Sequence, residues 1–186
     1  MKALIAYGTR FGATAGTAQE IAKVLGEEGL EVKVADLRTE KIDDLSGYGL
    51  VVIGNGLSMG NWASETEDFV KKSRMAFEGK KLALFVSSLK PVEEKEGRTA
   101  AVARIRKVGV DDKILKYHLK PISVGIFGGV VNYNKIGFLM RKGMEIGYKS
   151  ALKKHGFKEV EAGVYDLRDW NEIRGWAQEL SKKSKE

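Results

Sequence analysis

Cysteine is absent from the 186 residues, which excludes disulfides, thiolate metal sites, iron–sulfur clusters and cysteine nucleophiles together. Histidine is nearly absent. His118 and His155 are the two present, leaving little room for an imidazole metal site or a His-based triad. Both are read as surface or packing residues. Proline occurs twice, at Pro91 and Pro121, and no Pro/Ser-rich linker, internal repeat or low-complexity tract divides the chain. Residues 1–186 therefore read as a single domain, long enough to bury one sizeable core. No apolar run approaches the roughly 20 residues of a bilayer-spanning helix, and the run after Met1-Lys2 is too short for a signal-peptide core. A cytoplasmic globular protein is the expectation.

Charge is plentiful but unevenly placed. Lys and Arg number 32 against 25 acidic residues, a formal net charge of +7. Residues 1–93 hold 12 basic and 13 acidic side chains, a charge of −1; residues 94–186 hold 20 and 12, a charge of +8. The second half thus offers a positive surface to an anionic membrane or an acidic partner, or serves solubility alone. No nucleic-acid recognition motif or interleaving of aromatic and basic residues is found, so no nucleic-acid partner is expected.

Apolar runs and amphipathic segments alternate along the chain. Lys2–Tyr7, Leu50–Ile53, Leu82–Ser87 and Ile122–Phe127 are short apolar runs of the kind buried on both faces of a parallel sheet, and Glu31–Asp36 alternates like a strand. Helices are expected over 14–28, 64–77, 98–108, 136–154 and 169–182, the first closed by Gly29 and the last N-capped by Asp169. Val160–Tyr165 reads as a further strand. Strands alternating with helices imply an α/β fold, a doubly wound five-stranded parallel sheet with helices on both faces. Such sheets bind ligands beyond the carboxyl ends of their strands.

The loops at those ends are Gly-, Ser- and Thr-rich. The first, Gly8-Thr-Arg-Phe-Gly-Ala-Thr14, leads straight into a helix, and its hydroxyls, free N–H groups and helix dipole make an anion cradle. It lacks the lysine of a Walker loop and the glycine spacing of a dinucleotide fingerprint. A helix N-cap without a ligand is the alternative reading, and Arg10 either adds charge or points to solvent. A receiver domain of the same class would carry an acidic cluster here and is rejected. The second loop, Gly54-Asn-Gly-Leu-Ser-Met-Gly-Asn-Trp62, sets Met59 and Trp62 at the rim, Trp62 either stacking on a planar ring or plugging the core. The third is Ser87-Ser-Leu-Lys-Pro91. Gly128-Gly129 follows the fifth strand, giving close approach to a ligand or to a neighbouring loop.

Together these stretches resemble a flavodoxin-type FMN protein, and in particular the flavodoxin-like family that contains the bacterial menaquinone-dependent protoporphyrinogen dehydrogenases. "YGTRFGAT", "VVIGNGLSMGNWASETEDFVKK", "LALFVSSLKP", "ISVGIFGGVVNYNKIGFLMRKGM" and "DLRDWNEIRGWAQEL" occur in the family's order and span nearly the whole chain. The resemblance implies a flavodoxin-like fold and FMN as cofactor. Thr9, Arg10, Phe11, Gly12, Ala13 and Thr14 would wrap its phosphate. Ser58, Met59, Gly60, Asn61 and Trp62 would line one side of the ring, and Ser87, Ser88 and Leu89 would meet the pyrimidine edge. Met59 stands where related proteins often carry an aromatic, so stacking passes to Trp62 or weakens.

The activity implied is electron transfer to or from a redox partner protein or a quinone, and in its sharper form oxidation of protoporphyrinogen IX. Positive charge near the ring would favour reduction, making the potential less negative than in acidic flavodoxins. No residue is a persuasive general acid or base. Segment 135–154, with Lys135, Arg141, Lys142, Lys149, Lys153 and Lys154 beside an apolar stripe of Ile136, Leu139, Met140, Met144, Tyr148, Ala151 and Leu152, is either a sheet-packing helix or a peripheral attachment to an anionic membrane. The competing class is an interaction module that keeps the fold without the flavin.

Overall fold

The computed structural model describes residues 1–9, 12–58, 60–135 and 138–186. Arg10, Phe11 and Met59, expected at the site, and Ile136, expected in the fourth helix, lie outside them, as do the side chains of Leu139 and Met140. Five strands form the central sheet: β1 (Lys2–Gly8), β2 (Glu31–Asp36), β3 (Leu50–Gly56), β4 (Lys81–Ser88) and β5 (Pro121–Gly128), in the order β2-β1-β3-β4-β5. Every pairing is parallel. The order reverses between β1 and β3, and the carboxyl ends at that switch point are Gly8 and Gly56.

Alternate residues of the central strands feed two cores. Ala3, Ile5 and Tyr7 of β1 join Val52, Phe85 and Phe127 on one face, under α1 (Ala13–Glu27) and α7 (Trp170–Lys185). Leu4, Ala6, Val51, Ile53 and Leu84 pack on the other, under α2 (Ser64–Ser73) and the helical turns before β5. Burial on both faces is why these strands read as continuous apolar runs. The expected ends also appear. Gly29, at φ 85°, lets the amide of Leu30 turn back to the carbonyl of Leu25, and Asp169 accepts from the amides of Asn171 and Glu172.

Three expectations are corrected. The helix expected over 98–108 is part of a longer excursion: α3 (Lys90–Lys95), with Pro91 in its first turn, α4 (Thr99–Arg106), a π-helical turn (Lys107–Asp111) and α5 (Asp112–Tyr117). The helix over 64–77 ends at Ser73 and finishes as a 3₁₀ turn, Arg74–Phe77. Val160–Tyr165 is not one strand but a hairpin, β7 (Glu159–Glu161) and β8 (Val164–Asp166), turning at Gly163 with φ 76°. β8 also pairs antiparallel with β6 (Val130–Asn132), giving a second sheet in the order β6-β8-β7. Strands of three residues are too short to show a period. Between this small sheet, α3 and α6 (Phe138–Lys154) lies a satellite core of Val92, Val131, Tyr133, Ala151, Leu152, Tyr165 and Leu167. Among the described residues no helix is long and apolar enough to cross a membrane.

Candidate functional site

A cavity of about 430 Å³ opens at the carboxyl ends of β1, β3 and β4. Its floor is the loop after β1. Thr9, buried, accepts the amide of Gly12 on Oγ1 at 2.9 Å, pinching the loop shut at the entrance to α1. Gly12 takes φ 92°, a left-handed conformation costly for any residue with a Cβ, and no side chain caps the helix it begins. The Ala15 amide donates to the Gly12 carbonyl at 3.2 Å, and the amides of Ala13 and Thr14 ahead of it have no intrahelical acceptor and suit an anion. Gly8 permits the tight approach behind them, since a Cβ there would stand 2.1 Å from Thr66 Oγ1 in α2.

Two hydroxyls on the cavity wall are buried and have no hydrogen-bond partner among the described residues. Thr14, in the first turn of α1, is fully buried and its Oγ1 makes no hydrogen bond; Ser87, at the end of β4, is 4% exposed and its Oγ makes none. Leaving such a group unsatisfied costs about 1–3 kcal/mol, so a wall carrying two of them is set for a polar ligand. Ser88 differs. Its hydroxyl donates to the Phe127 carbonyl and accepts the Lys90 amide, both at 3.2 Å, and so serves the fold.

The loop after β3 is fixed from within. Asn55, fully buried, donates from Nδ2 to the Gly56 carbonyl and accepts the Ala63 amide, each at 2.9 Å. Ser58 and Asn61 exchange backbone hydrogen bonds at 3.2 and 3.0 Å. Trp62 is not on the cavity wall. It is 3% exposed, its indole N–H donates to the Gly109 carbonyl of the π-helical turn at 2.8 Å, and Lys113 lies 5.7 Å from its ring. Of its two readings, the packing one describes this position.

The expected residues Thr9, Ala13, Thr14, Ser58, Ser87, Ser88 and Leu89 share the wall; Gly12 shapes the floor, and Gly60 and Asn61 stand in the adjoining turn. Gly128 is a packing glycine, because a Cβ there would meet the Leu167 carbonyl at 1.9 Å, whereas Gly129 lies on the wall.

Sequence reasoning missed the roof, made by Val130–Asn132 of β6 and by Gly143, Met144 and Tyr148 of α6. The apolar stripe of α6 was visible, but not what it covers. Tyr148 donates to Glu93 of α3 at 2.5 Å, and Arg98 holds the other oxygen of that buried carboxylate at 3.2 Å. Burial and the Glu93 carboxylate push the Tyr148 hydroxyl up to about 12, so it stays a neutral donor. His155 is also tied to α3, its Nε2 lying 2.5 Å from Glu96, while His118 ends α5 in an exposed left-handed conformation.

A family model described as a flavodoxin domain matches residues 4–156. Protoporphyrinogen IX dehydrogenase (quinone) of Escherichia coli K12 is 26% identical over 184 residues, covering 97% of this chain and 95% of its own. Among solved structures, a flavodoxin from the domain Archaea superposes with a TM-score of 0.56 at 14% identity over the whole of both chains. The Streptococcus pneumoniae TIGR4 flavodoxin does so at 0.55 and 15%, covering 100% of this chain and 98% of its own. These two likenesses are likenesses of fold.

Proposed function

The chain belongs to the flavodoxin-domain family, and from that premise we propose that its cavity binds FMN and that the protein transfers electrons through it. One observation carries the reading: Thr14 Oγ1 and Ser87 Oγ, two buried hydroxyls without partners among the described residues, lie on the wall of one cavity at the sheet's switch point. They fit the cofactor by its chemistry. A phosphate wants the N–H groups and hydroxyls at the start of α1, and the polar edge of a flavin wants donors and acceptors such as those of Ser87–Leu89.

FMN, when bound, supplies one- and two-electron chemistry. The chain's own residues bind and orient it. Thr9 would close the loop that holds the phosphate, Thr14 would offer its hydroxyl to it, and the Ser58–Asn61 turn would line the ring. Leu57, Leu89, Val131 and Met144 line an apolar wall that keeps water from it. In this proposal Arg10, Phe11 and Met59 keep the places that the family resemblance gives them. No side chain is assigned a proton-transfer step.

The finer proposal is that the chain oxidises protoporphyrinogen IX, the electrons and hydrogens removed passing to a quinone that leaves as the quinol. Its support is the 26% identity, over nearly the full length of both chains, with the E. coli enzyme of that name. Anaerobic incubation of FMN-loaded protein with protoporphyrinogen IX and a menaquinone analogue tests it. Porphyrin fluorescence rising with the quinone supports it, and no turnover above the protein-free rate overturns it. A cytoplasmic location with peripheral attachment to an anionic membrane through 135–154 belongs to the same proposal, since quinones reside in membranes. Its support is that Arg141, Lys142, Lys149, Lys153 and Lys154 are exposed on the helix that roofs the cavity, around an Ile146 that is 84% exposed.

A further inference from the structure

The first turn of α1 is backed by a charge that the cavity does not contain. Arg168, in the loop between β8 and α7, is held in one place by four contacts. Its Nε and Nη2 donate to the two oxygens of Asp166 at 2.8 and 2.6 Å, its guanidinium stacks 4.3 Å from the Trp170 ring, and Nη1 reaches the Ala13 carbonyl at 3.5 Å. The fourth contact is with Gly16 of α1: a Cβ there would stand 2.4 Å from Nη1, so any side chain at 16 would displace the guanidinium. Only 15% of the Arg168 side chain is exposed.

A fixed cation beside the first turn of a helix opposes the helix dipole. Nothing in α1 relieves that opposition: its first turn holds no acidic residue and Gly12 offers no side-chain cap. Asp166 does not cancel the field evenly, because it occupies the Nε–Nη2 edge while Nη1 faces the helix. The ion pair is therefore a dipole with its positive end on α1. An anion at the helix N-terminus turns the opposition into attraction, and the buried, unpartnered Thr14 hydroxyl on the cavity wall marks the same turn as a ligand position.

We propose that Arg168 is a positioning residue for the anionic end of the ligand. Held by Asp166, Trp170 and Gly16, it fixes the first turn of α1 and adds positive charge behind it, so that the cavity selects a flavin bearing a phosphate monoester over the same ring and ribityl chain without one. The inference rests on the FMN reading and goes beyond it in naming the source of phosphate selectivity, which lies outside the cavity and outside the residues 4–156 that the family model matches.

Titration of the full chain with FMN and with riboflavin, followed by quenching of flavin fluorescence, tests this. Riboflavin lacks only the phosphate. Arg168→Gln is expected to weaken FMN binding about tenfold and to leave riboflavin within about twofold. Arg168→Lys, which keeps the charge and loses the fork that Asp166 holds, is expected to recover part of the FMN affinity lost in Arg168→Gln and to leave riboflavin where it is. Loss of both flavins alike in Arg168→Gln would make the clasp merely structural and overturn the proposal. So would an Arg168→Lys variant that binds FMN no better than Arg168→Gln, or an unchanged FMN-to-riboflavin ratio in Arg168→Gln; these results leave the FMN reading standing. A wild-type chain that takes up neither flavin overturns that reading and this inference with it.

Discussion

The unpartnered hydroxyls of Thr14 and Ser87 predict substitution effects of opposite sign for the empty and the loaded protein. Thr14→Val keeps the shape and removes a polar atom that satisfies nothing in the protein. Its thermal midpoint without ligand is expected to hold or rise, while FMN affinity falls by the equivalent of about 1 kcal/mol. Ser87→Ala is expected to behave alike. Denaturation of the apoprotein beside flavin titration checks both, and a Thr14→Val variant that is less stable yet binds FMN normally would remove Thr14 from the site. The place of Thr14 on the cavity wall was legible in the sequence, because a Gly/Thr turn from an apolar strand into a helix lies at the carboxyl edge of a parallel sheet whether it holds an anion or only caps the helix. The place of Trp62 was not: an isolated loop tryptophan carries the same local signal whether its indole meets a ligand or the Gly109 carbonyl, 47 residues away.

At the scale of elements, the roof helix is latched to α3 by polar contacts. Tyr148 meets Glu93, Lys154 and His155 meet Glu96, and Lys95 donates to the His155 carbonyl at 3.2 Å while lying 4.9 Å from the Phe157 ring. Tyr148→Phe leaves the buried Glu93 to Arg98 alone. Amide exchange in α6 is expected to speed up while β1 and β3 stay protected, and equal loss of protection everywhere would deny the latch. These hydrogen-bonded pairings were hidden because the partners are 55 to 60 residues apart. No pattern within a window of one helix reports them.

The same scale sets a pH dependence. Burial alone would raise Glu67 of α2, but hydrogen bonds from Lys113, Tyr117 and Lys116 outweigh it and bring the carboxyl down to about 2. Glu96 is likewise lowered to about 2, chiefly by hydrogen bonds from Lys154 and His155. A carboxyl whose pKa is lowered by folding adds stability above its unfolded value, and that stability is lost as the pH falls through the folded value. Denaturant unfolding is therefore expected to be flat from pH 7 to about 5 and to weaken between about 4.5 and 2, with part of that fall missing in Glu67→Gln. An unchanged pH profile in Glu67→Gln would show that the α2–α5 pairing contributes nothing.

For the whole molecule, the sequence and the structure agree on the five-stranded sheet and on which strand ends face the cavity, since both follow from apolar runs and Gly-rich loops. They part in the second half, where three-residue strands and a π-helical turn carry no periodic signal. That half also carries the excess positive charge, and α6 brings much of it to the rim of the cavity. Flotation with vesicles is expected to recover the protein with anionic lipid at low salt and not with zwitterionic lipid, with recovery lost on raising the salt or on substituting Lys149 and Lys153 by Glu. Recovery with neither lipid would leave the charge to solubility.

The central claim is that this cavity holds FMN. Absorption spectroscopy of the purified chain after incubation with FMN and removal of the excess tests it most directly. Flavin bands retained at about one per chain, and lost in Thr14→Trp, which fills the cradle, are the result expected. A colourless wild-type protein after the same treatment would contradict the account and leave a flavodoxin fold that serves as an interaction module.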